Sequence, residues 1–323
     1  MILRSAKVPG PYGARNRAHS SKRGGAAGVA VTVLAALFAG CSSSGPAPMA
    51  GMAHGSMGAT QSTAGAPDAP VTGAQGRVPQ FLVECPFSHA LADDPIVYPG
   101  RSGQSHMHVF FGNETANASS TLESLSAGST LCDQRLDRAS YWAPALYDGD
   151  AMLIPAGSVA YYRPGEGVDP TAVQPYPDGL EMIAGDSSAL EPQPTSVVAW
   201  TCGTGIARDA SPPACASGRP LRMLVTFPDC WNGTVVDSAD HRSHMAYSSH
   251  GSCPADHPVP VPQLQFSVIY DFSGDPQGLS LASGPLTTAH ADFFNAWDRA
   301  KLTSEIEACL HRDVVCGVTS GRK

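Results

Sequence analysis

Two stretches decide the fold, LRMLVTFP at residues 221–228 and QLQFSVIY at residues 263–270. Each is rich in Val, Ile, Phe or Tyr and is bounded by Pro or Asp, which is the pattern of a short β-strand. Five further runs share that composition: QFLVE (80–84), SYWAPAL (140–146), SVAYYR (158–163), LEMIA (180–184) and SVVAWTC (196–202). The sequence therefore predicts a mainly β fold.

The rest of the chain favours turns over helices. The whole chain has 33 Gly and 28 Pro, whereas only 15% of its residues are charged. Helix is indicated only near the C-terminus, as one or two turns over Ala291–Trp297 and then a segment with Leu302, Ile306 and Leu310 on one face. In that segment Ser304 and Glu307 have the spacing of a capping box. We expect a disulfide-stapled β-sandwich or jelly roll with long loops and one or two C-terminal helices.

The first 40 residues are typical of a secretory signal. Six basic and no acidic residues accompany the apolar run AAGVAVTVLAALFA (26–39), which is too short to span a membrane comfortably. The following LFAGC (37–41) resembles a bacterial lipobox. We expect cleavage before Cys41 and its acylation, which makes the protein a membrane-anchored lipoprotein outside the cytoplasm. The alternative is an ordinary signal peptide that leaves Cys41 as a free thiol.

Residues 41–77 are small, polar and rich in Pro and Gly, so they are expected to form a flexible linker. This linker contains Met49, Met52, His54 and Met57, a set of ligands that suits copper, although the same residues also occur in linkers by chance. Residues 78–318 are long enough for a single globular domain, and residues 319–323 form a short tail.

Cysteine usage also places the domain in an oxidising compartment. Without Cys41 the chain has eight cysteines, an even number that favours four disulfides. Eight cysteines allow 105 pairings, so the connectivity stays open. Pairing each cysteine with its nearest neighbour is the simplest scheme: 85–132, 202–215, 230–253 and 309–316.

Net charge argues against nucleic acid as a partner. Removing residues 1–40 takes six of the 20 basic residues and none of the 28 acidic ones, so the formal charge changes from −8 to 14 − 28 = −14. Proteins that bind nucleic acids present basic faces, and no such face is indicated here.

Histidines form three short groups that could carry chemistry. They are His106 with His108, His241 with His244, and His290 followed by Asp292. Residues two apart share a face of a strand and residues three apart share a face of a helical turn, so each pair can converge on one atom. Such groups can bind zinc or copper or act as acid–base pairs. The alternative is that they only satisfy loop backbones.

Carboxylates and aromatic residues accompany the histidines. We expect Asp229, Asp240, His108 and His241 to be catalytic, because glycoside hydrolysis needs a proton donor and a base or nucleophile. Asp93 and Asp94 are expected only to form turn hydrogen bonds. Substrate is expected to contact seven side chains: His106, Asn113, Trp231, His244, Tyr247, His290 and Asp292.

Ordered motifs across residues 78–316 resemble a large secreted family of fungi and actinobacteria that is described as a domain of unknown function. They are CPFSH (85–89), DDPIV (93–97), SHMH (105–108), FGN (111–113), FPDCW (227–231), DH (240–241), HMAY (244–247), CP (253–254) and HADF (290–293). Its members often lie beside WSC or other glycan-binding modules, so the resemblance implies an extracellular role and contact with glycans. Val109 and Asn232 stand where that family usually has Asp.

Three functions follow as expectations. The leading one is an enzyme that cleaves a cell-surface or environmental polysaccharide, by hydrolysis or by lyase chemistry. The second is a copper- or zinc-binding surface lipoprotein whose ligands are His106, His108, His241, His244 and His290. The third is a glycan-binding module without catalysis. Phosphate-binding loops, the G-x-S-x-G elbow and the H-E-x-x-H motif are absent from the sequence, which argues against nucleotide enzymes, common serine hydrolases and zincin proteases.

Overall fold

The structure is a computed structural model that describes residues 72–73 and 78–316. The expected signal at 1–40, most of the linker at 41–77 with Cys41, and the tail at 319–323 lie outside the described residues. Strands run in chain order as follows: β1 (Thr72–Gly73), β2 (Phe81–Cys85), β3 (Phe87–Leu91), β4 (His108–Gly112), β5 (Ser140–Pro144), β6 (Leu146–Asp148), β7 (Ala151–Leu153), β8 (Pro155–Arg163), β9 (Glu181–Gly185), β10 (Val198–Cys202), β11 (Leu221–Thr226), β12 (Cys230–Trp231), β13 (Met245–Ala246), β14 (Val259–Pro260), β15 (Gln263–Tyr270), β16 (Leu279–Leu281), β17 (His290–Phe294) and β18 (Val314–Val315).

Helices are few and short. The α-helices are α1 (Leu122–Ala127) and α2 (Arg299–Glu305), and α2 continues into a π-helical turn at Ile306–Leu310. Single 3-10 turns lie at Pro170–Ala172, Pro276–Gly278 and Leu286–Thr288. Among the described residues no helix is long and apolar enough to cross a membrane.

Two five-stranded antiparallel sheets form the body of the domain. Sheet 1 has the strand order β10-β11-β15-β8-β2, and sheet 2 has the order β3-β4-β5-β17-β9. The centre of sheet 1 pairs β15 with β8, from Gln263 opposite Arg163 to Ile269 opposite Gly157, with a bulge after Ile269. Smaller sheets join β13-β12-β14, β16-β6-β7 and β1-β18.

The two main sheets pack face to face through aromatic side chains. Phe266 of β15 lies 5.5 Å, between ring centroids, from both Phe111 of β4 and Tyr141 of β5. These rings belong to a buried apolar core that draws residues from both sheets. Side chains that interdigitate between two sheets are the defining feature of a β-sandwich. The expected mainly β, disulfide-stapled fold is therefore confirmed.

A second, smaller core lies on the opposite face of sheet 2. Side chains alternate along a strand, so Val109 and Phe111 of β4 enter the main core whereas Phe110 points away from it. Phe110 stacks on Trp142 at 5.6 Å, and Phe294 and Ile183 pack in the same cluster. By the same alternation His108, His290 and Asp292 share this outer face. The second core thus borders a row of buried polar residues.

Near the C-terminus the structure corrects two local predictions. Residues 290–294 form strand β17 and are buried throughout, so the helical turns expected at Ala291–Trp297 are wrong. The C-terminal helix begins instead after Asp298, whose side chain accepts a hydrogen bond from the Lys301 backbone N–H. Ser304 therefore lies inside the helix and does not cap it. Leu302 and Ile306 are buried, as the periodicity predicts.

Four disulfides connect the elements. They are the nearest-neighbour pairs Cys85–Cys132, Cys202–Cys215, Cys230–Cys253 and Cys309–Cys316, the scheme that the sequence favours. The second links the end of β10 to the loop before β11, and the third fixes β12 to the loop that follows β13. Long loops are thereby held against the sheets, and disulfides of this number are compatible with an extracytoplasmic protein.

Candidate metal centre

Three of the five grouped histidines meet on the outer face of sheet 2. His108 begins β4 and His290 begins β17, the two strands that flank β5, while His106 lies in the loop before β4. The ring centroids lie 4.3 Å apart for His106 and His108, 5.1 Å for His106 and His290, and 5.8 Å for His108 and His290. One ring nitrogen of each lies within 4.8 Å of those of the other two.

Backbone hydrogen bonds define the tautomer of two of these rings. His108 Nδ1 lies 2.9 Å from the Asp93 carbonyl oxygen, and His290 Nδ1 lies 2.8 Å from that of Thr288. A carbonyl oxygen only accepts, so Nδ1 must carry the hydrogen and Nε2 is left with its lone pair. His108 Nε2 is buried and has no hydrogen-bond partner, and the same holds for His106 Nε2.

Two buried carboxylates lie beside these imidazoles. Asp292 follows His290 by two residues on the same strand, its Oδ2 is 4.0 Å from His290 Nε2, and that oxygen has no hydrogen-bond partner. Asp94 accepts backbone hydrogen bonds from Ile96 and Val97, each at 2.9 Å, as its expected turn role requires. It also offers an oxygen within 4.8 Å of ligand atoms of His108 and Asp292.

Burial drives all five groups toward their neutral forms. It lowers the pKa of His106 and His108, and at His108 the neighbouring imidazoles lower it further. Burial lowers the pKa of His290 to about 4. It raises the pKa of Asp94 and of Asp292, which repel each other when ionised. A divalent cation would reverse this preference for the carboxylates, because it binds neutral imidazole and ionised carboxylate.

The second histidine group borders this cluster on its exposed side. His241 Nδ1 contacts Asp237 Oδ2 at 2.9 Å, and both lie within 4.8 Å of Glu181. Burial raises the pKa of Asp94 on balance, and the charge of His241 opposes that rise. The charge of Arg242 adds to the lowering of the His290 pKa by burial and opposes the rise of the Asp292 pKa. Glu181, Asp237, Arg242 and Asp94 were not predicted as site residues. Arg242 lies inside the motif DHRSH, so its position in the sequence was the available signal.

His244 is separated from metal binding by its hydrogen bonds. Its Nδ1 lies 2.9 Å from Ser238 Oγ and its Nε2 lies 2.6 Å from the Glu181 carbonyl oxygen. Both ring nitrogens of this fully buried side chain are thus engaged, so the structure assigns His244 to holding the loop 238–244 against β9.

Three of the expected substrate contacts hold the backbone in place. Buried Asn113 donates to the Leu125 and Arg138 carbonyl oxygens and fixes the loop around α1. Trp231 Nε1 donates to the Val235 carbonyl oxygen. Tyr247 donates to that of Thr226, but its ring is 39% exposed and lines two adjoining hollows, so it remains available to a ligand.

The carboxylates predicted as acid and base lie in different environments. Asp229 is buried, its Oδ1 accepts from the Ser248 backbone N–H at 2.9 Å, and burial raises its pKa. Asp240 is exposed and accepts from the Ser243 and Arg242 backbone N–H groups and from Ser238 Oγ, which together hold its pKa far below the ordinary value. An aspartate held ionised in this way is poorly suited to donate a proton. No hydrogen bond joins Asp229 to Asp240 within residues 78–316.

The site and the fold together define a class of protein, a disulfide-stapled β-sandwich with a buried His/Asp cluster on one outer face. The chain belongs to the family described as Domain of unknown function (DUF1996), whose model matches residues 94–297. The matched range contains all five residues of the cluster, and it confirms the resemblance that the motifs indicate. Comparison with curated proteins and with solved structures yields no match.

Proposed function

We propose that the protein is an extracytoplasmic, lipid-anchored metalloprotein that binds a zinc or copper ion through His106, His108 and His290, with Asp292 and Asp94 as further ligands. The observation that carries this proposal is that ring nitrogens of His106, His108 and His290 lie within 4.8 Å of one another, while the Nε2 atoms of His106 and His108 are buried and have no hydrogen-bond partner. Leaving a buried polar atom unpartnered costs about 1–3 kcal/mol, so a set of them on one point needs an occupant.

The hydrogen bonds behind the rings support a metal over a purely structural role. Metal-binding histidines commonly donate the other ring N–H to a backbone carbonyl or a carboxylate, as His108 and His290 do. Structural histidines of this same domain behave differently: His244 and His89 use both ring nitrogens in hydrogen bonds. Apart from His257 Nδ1, which lies 3.0 Å from Asp256 Oδ1, the buried imidazole nitrogens of residues 78–316 without a hydrogen-bond partner are those of His106 and His108.

The ligand types indicate the kind of metal. Imidazole nitrogens suit zinc and copper, whereas calcium and magnesium prefer sites made of oxygen ligands. All cysteines of the described domain are paired in disulfides, so thiolates do not compete. A zinc ion held by three histidines keeps a coordination position for water and lowers the pKa of that water to about 7, which suits hydrolysis.

Action on a cell-surface or environmental polysaccharide is the second part of the proposal. It is supported by a hollow of about 240 Å³ that is lined by Arg242 and Tyr247, the former within electrostatic range of Asp292. An exposed aromatic ring beside a cation is suited to hold a sugar near the cluster. Hydrolase or lyase chemistry there would run beside the metal instead of between Asp229 and Asp240.

Metal content tests the proposal directly. The full-length protein, purified in detergent and washed with chelator, is incubated with Zn²⁺ or Cu²⁺, desalted and analysed by mass spectrometry for metals. We expect about one ion per chain, because the two groups of candidate ligands share His108. The same preparation with His108→Asn should retain at least about 10-fold less metal, since loss of even a supporting partner costs 10- to 100-fold.

The choice of Asn makes the variant specific. Its side-chain amide can still donate to the Asp93 carbonyl oxygen, so the structural hydrogen bond is kept and only the Nε2 ligand is lost. His250→Asn is the matched control, because His250 is exposed and lies outside the cluster. Metal retention that is equal in both variants, or none in the wild type, would contradict the proposal. Sugar release from a polysaccharide panel then separates an enzyme from a glycan-binding module.

A further inference from the structure

Two arginines lie side by side in the wall of a cleft that shares lining residues with the hollow beside Arg242. Arg163 ends β8, and Arg208 lies in the loop between β10 and β11; both line a cleft of about 830 Å³. Both are only partly exposed. Burial lowers the pKa of each, and the charge of Arg208 adds to the fall at Arg163, which brings its pKa to about 10. The two guanidinium groups are therefore close enough to repel each other.

No carboxylate neutralises this pair. Within residues 78–316 neither arginine has an acidic oxygen within 4.0 Å, although Glu166 lines the same cleft. Their partners are neutral. With its amide oxygen turned toward them, Gln265 accepts from Arg163 Nη2 at 3.3 Å and also from Arg208, and Arg208 Nη1 lies 3.3 Å from the Thr195 carbonyl oxygen. In a chain with an acidic excess, two half-buried guanidinium groups without a counter-ion are unexpected.

The cleft adjoins the smaller hollow that Arg242 lines. Its walls share Pro194, Val197 and Tyr247 with the hollow of about 240 Å³ that Arg242 lines. A chain-like ligand can therefore extend from the arginine pair, past the exposed Tyr247 ring, to Arg242. A third guanidinium group then lies along the same path. The path as a whole is positively charged and contains an aromatic surface, which fits a ligand built of sugar rings that carry negative charges.

We infer that Arg163 and Arg208 bind an oxyanion of the ligand, so that the polysaccharide recognised by this protein is an acidic one, with carboxylate or sulfate groups on its sugars. Guanidinium groups pair with such groups through two parallel hydrogen bonds, which gives orientation as well as affinity. The oxyanion replaces the missing counter-ion between the two arginines. This assignment of substrate class rests on the proposed function.

Calorimetric titration of the full-length protein in detergent tests the inference. The probes are a short uronic-acid oligosaccharide, a sulfated oligosaccharide and a neutral one of equal length. We expect an acidic probe to bind at least about 10-fold more tightly than the neutral one, because a charged hydrogen-bonded contact contributes about 1.5–3 kcal/mol. The two acidic probes distinguish carboxylate from sulfate. Equal affinity for acidic and neutral probes, or no binding of either, would overturn the inference.

Variants assign the effect to the arginine pair. Arg208→Gln should weaken binding of the acidic probe about 10- to 100-fold and leave the neutral probe unchanged. Arg101→Gln is the matched control, since it removes the same charge from an exposed side chain elsewhere. If both variants bind alike, the pair is not the site. The melting temperature of ligand-free Arg208→Gln should be equal to or above that of the wild type, because the variant relieves guanidinium repulsion.

The same samples keep the two proposals apart. Metal content is measured on each variant, and Arg208→Gln should retain as much zinc or copper as the wild type. If the wild type holds no metal but still prefers the acidic oligosaccharides, the proposed metal centre is wrong and the inference stands. If the wild type binds metal but shows no preference for the acidic oligosaccharides, the inference is wrong and the proposed metal centre stands.

Discussion

Asp137 is a buried residue whose ionisation should affect stability. Tyr141 donates to its Oδ2 at 2.5 Å, its Oδ1 accepts from the Ala139 N–H at 3.1 Å, and burial raises its pKa from 3.8 to about 8. Between these values the folded state keeps a proton that the unfolded state releases. The free energy of unfolding therefore falls as pH rises from about 4 to about 8.

Asp137→Asn should remove this loss of stability. The amide resembles the protonated carboxyl, so at pH 7 the variant should unfold with a free energy about 2–4 kcal/mol above that of the wild type, and the difference should shrink near pH 4. Urea unfolding from pH 4 to pH 9 measures this. Asp150→Asn, at an exposed turn, serves as control and should match the wild type throughout. A constant difference between Asp137→Asn and the wild type would show that Asp137 does not titrate in this range.

At the scale of residues, sequence patterns located histidines better than they separated roles. His106, His108 and His290 come together, but His244, in the same motif as His241, has both nitrogens engaged by Ser238 and Glu181. Asp94 does form the turn predicted for it and also faces His108. The same short motif can therefore supply a structural residue or a candidate ligand. Which role a side chain takes depends on the neighbours that its remaining nitrogen or oxygen meets, and these neighbours come from strands far apart in the chain.

At the scale of elements, the strands of sheet 1 were all predicted, whereas β3, β4 and β17 of sheet 2 were not. β4 and β17 are buried on both faces, so they lack the alternation of polar and apolar residues that indicates a strand. They also begin with His108 and His290, which composition alone does not favour in strands. The strands that carry the candidate site are thus those that local sequence describes least well.

Gly112 makes the end of β4 possible. Its φ of +80° is one that L side chains rarely adopt, and a Cβ there would lie 2.4 Å from the Ala139 carbonyl oxygen. Gly112→Ala should lower the free energy of unfolding by about 3 kcal/mol or more, from strain plus the clash. Gly149→Ala is the matched comparison: its φ is +57° with open space around it, so strain alone should cost about 1–2 kcal/mol. Chemical denaturation of both variants compares them, and equal losses would mean that β4 shifts to make room.

At the scale of the whole molecule, cysteine pairing connects the domain to its expected location. Nine cysteines occur in the sequence and eight of them form the four disulfides, so one is left over. That one is Cys41, which follows a basic segment and a short apolar run and lies outside the described residues. Neither composition nor spacing could fix the pairing among 105 schemes, but short loops make nearest neighbours the likeliest to meet, since loop closure costs more entropy as the loop grows.

Acylation of Cys41, which is part of the proposed function, would give the leftover cysteine a role. An exposed unpaired thiol outside the cytoplasm tends to oxidise or to form mixed disulfides, whereas an acylated cysteine cannot. Acyl chains contribute about 0.8 kcal/mol for each buried CH₂ group, and stable anchoring takes more than one chain.

Cys41→Ser should therefore release the protein from the membrane fraction, as seen by fractionation and immunoblotting in a bacterial host that acylates lipoproteins. Ser43→Ala, in the adjacent linker, controls for the substitution itself and should stay with the membrane. A Cys41→Ser protein that remains membrane-bound to the same extent would rule out the lipid anchor. The wild-type protein should also take up radiolabelled palmitate in this host, and the variant should not.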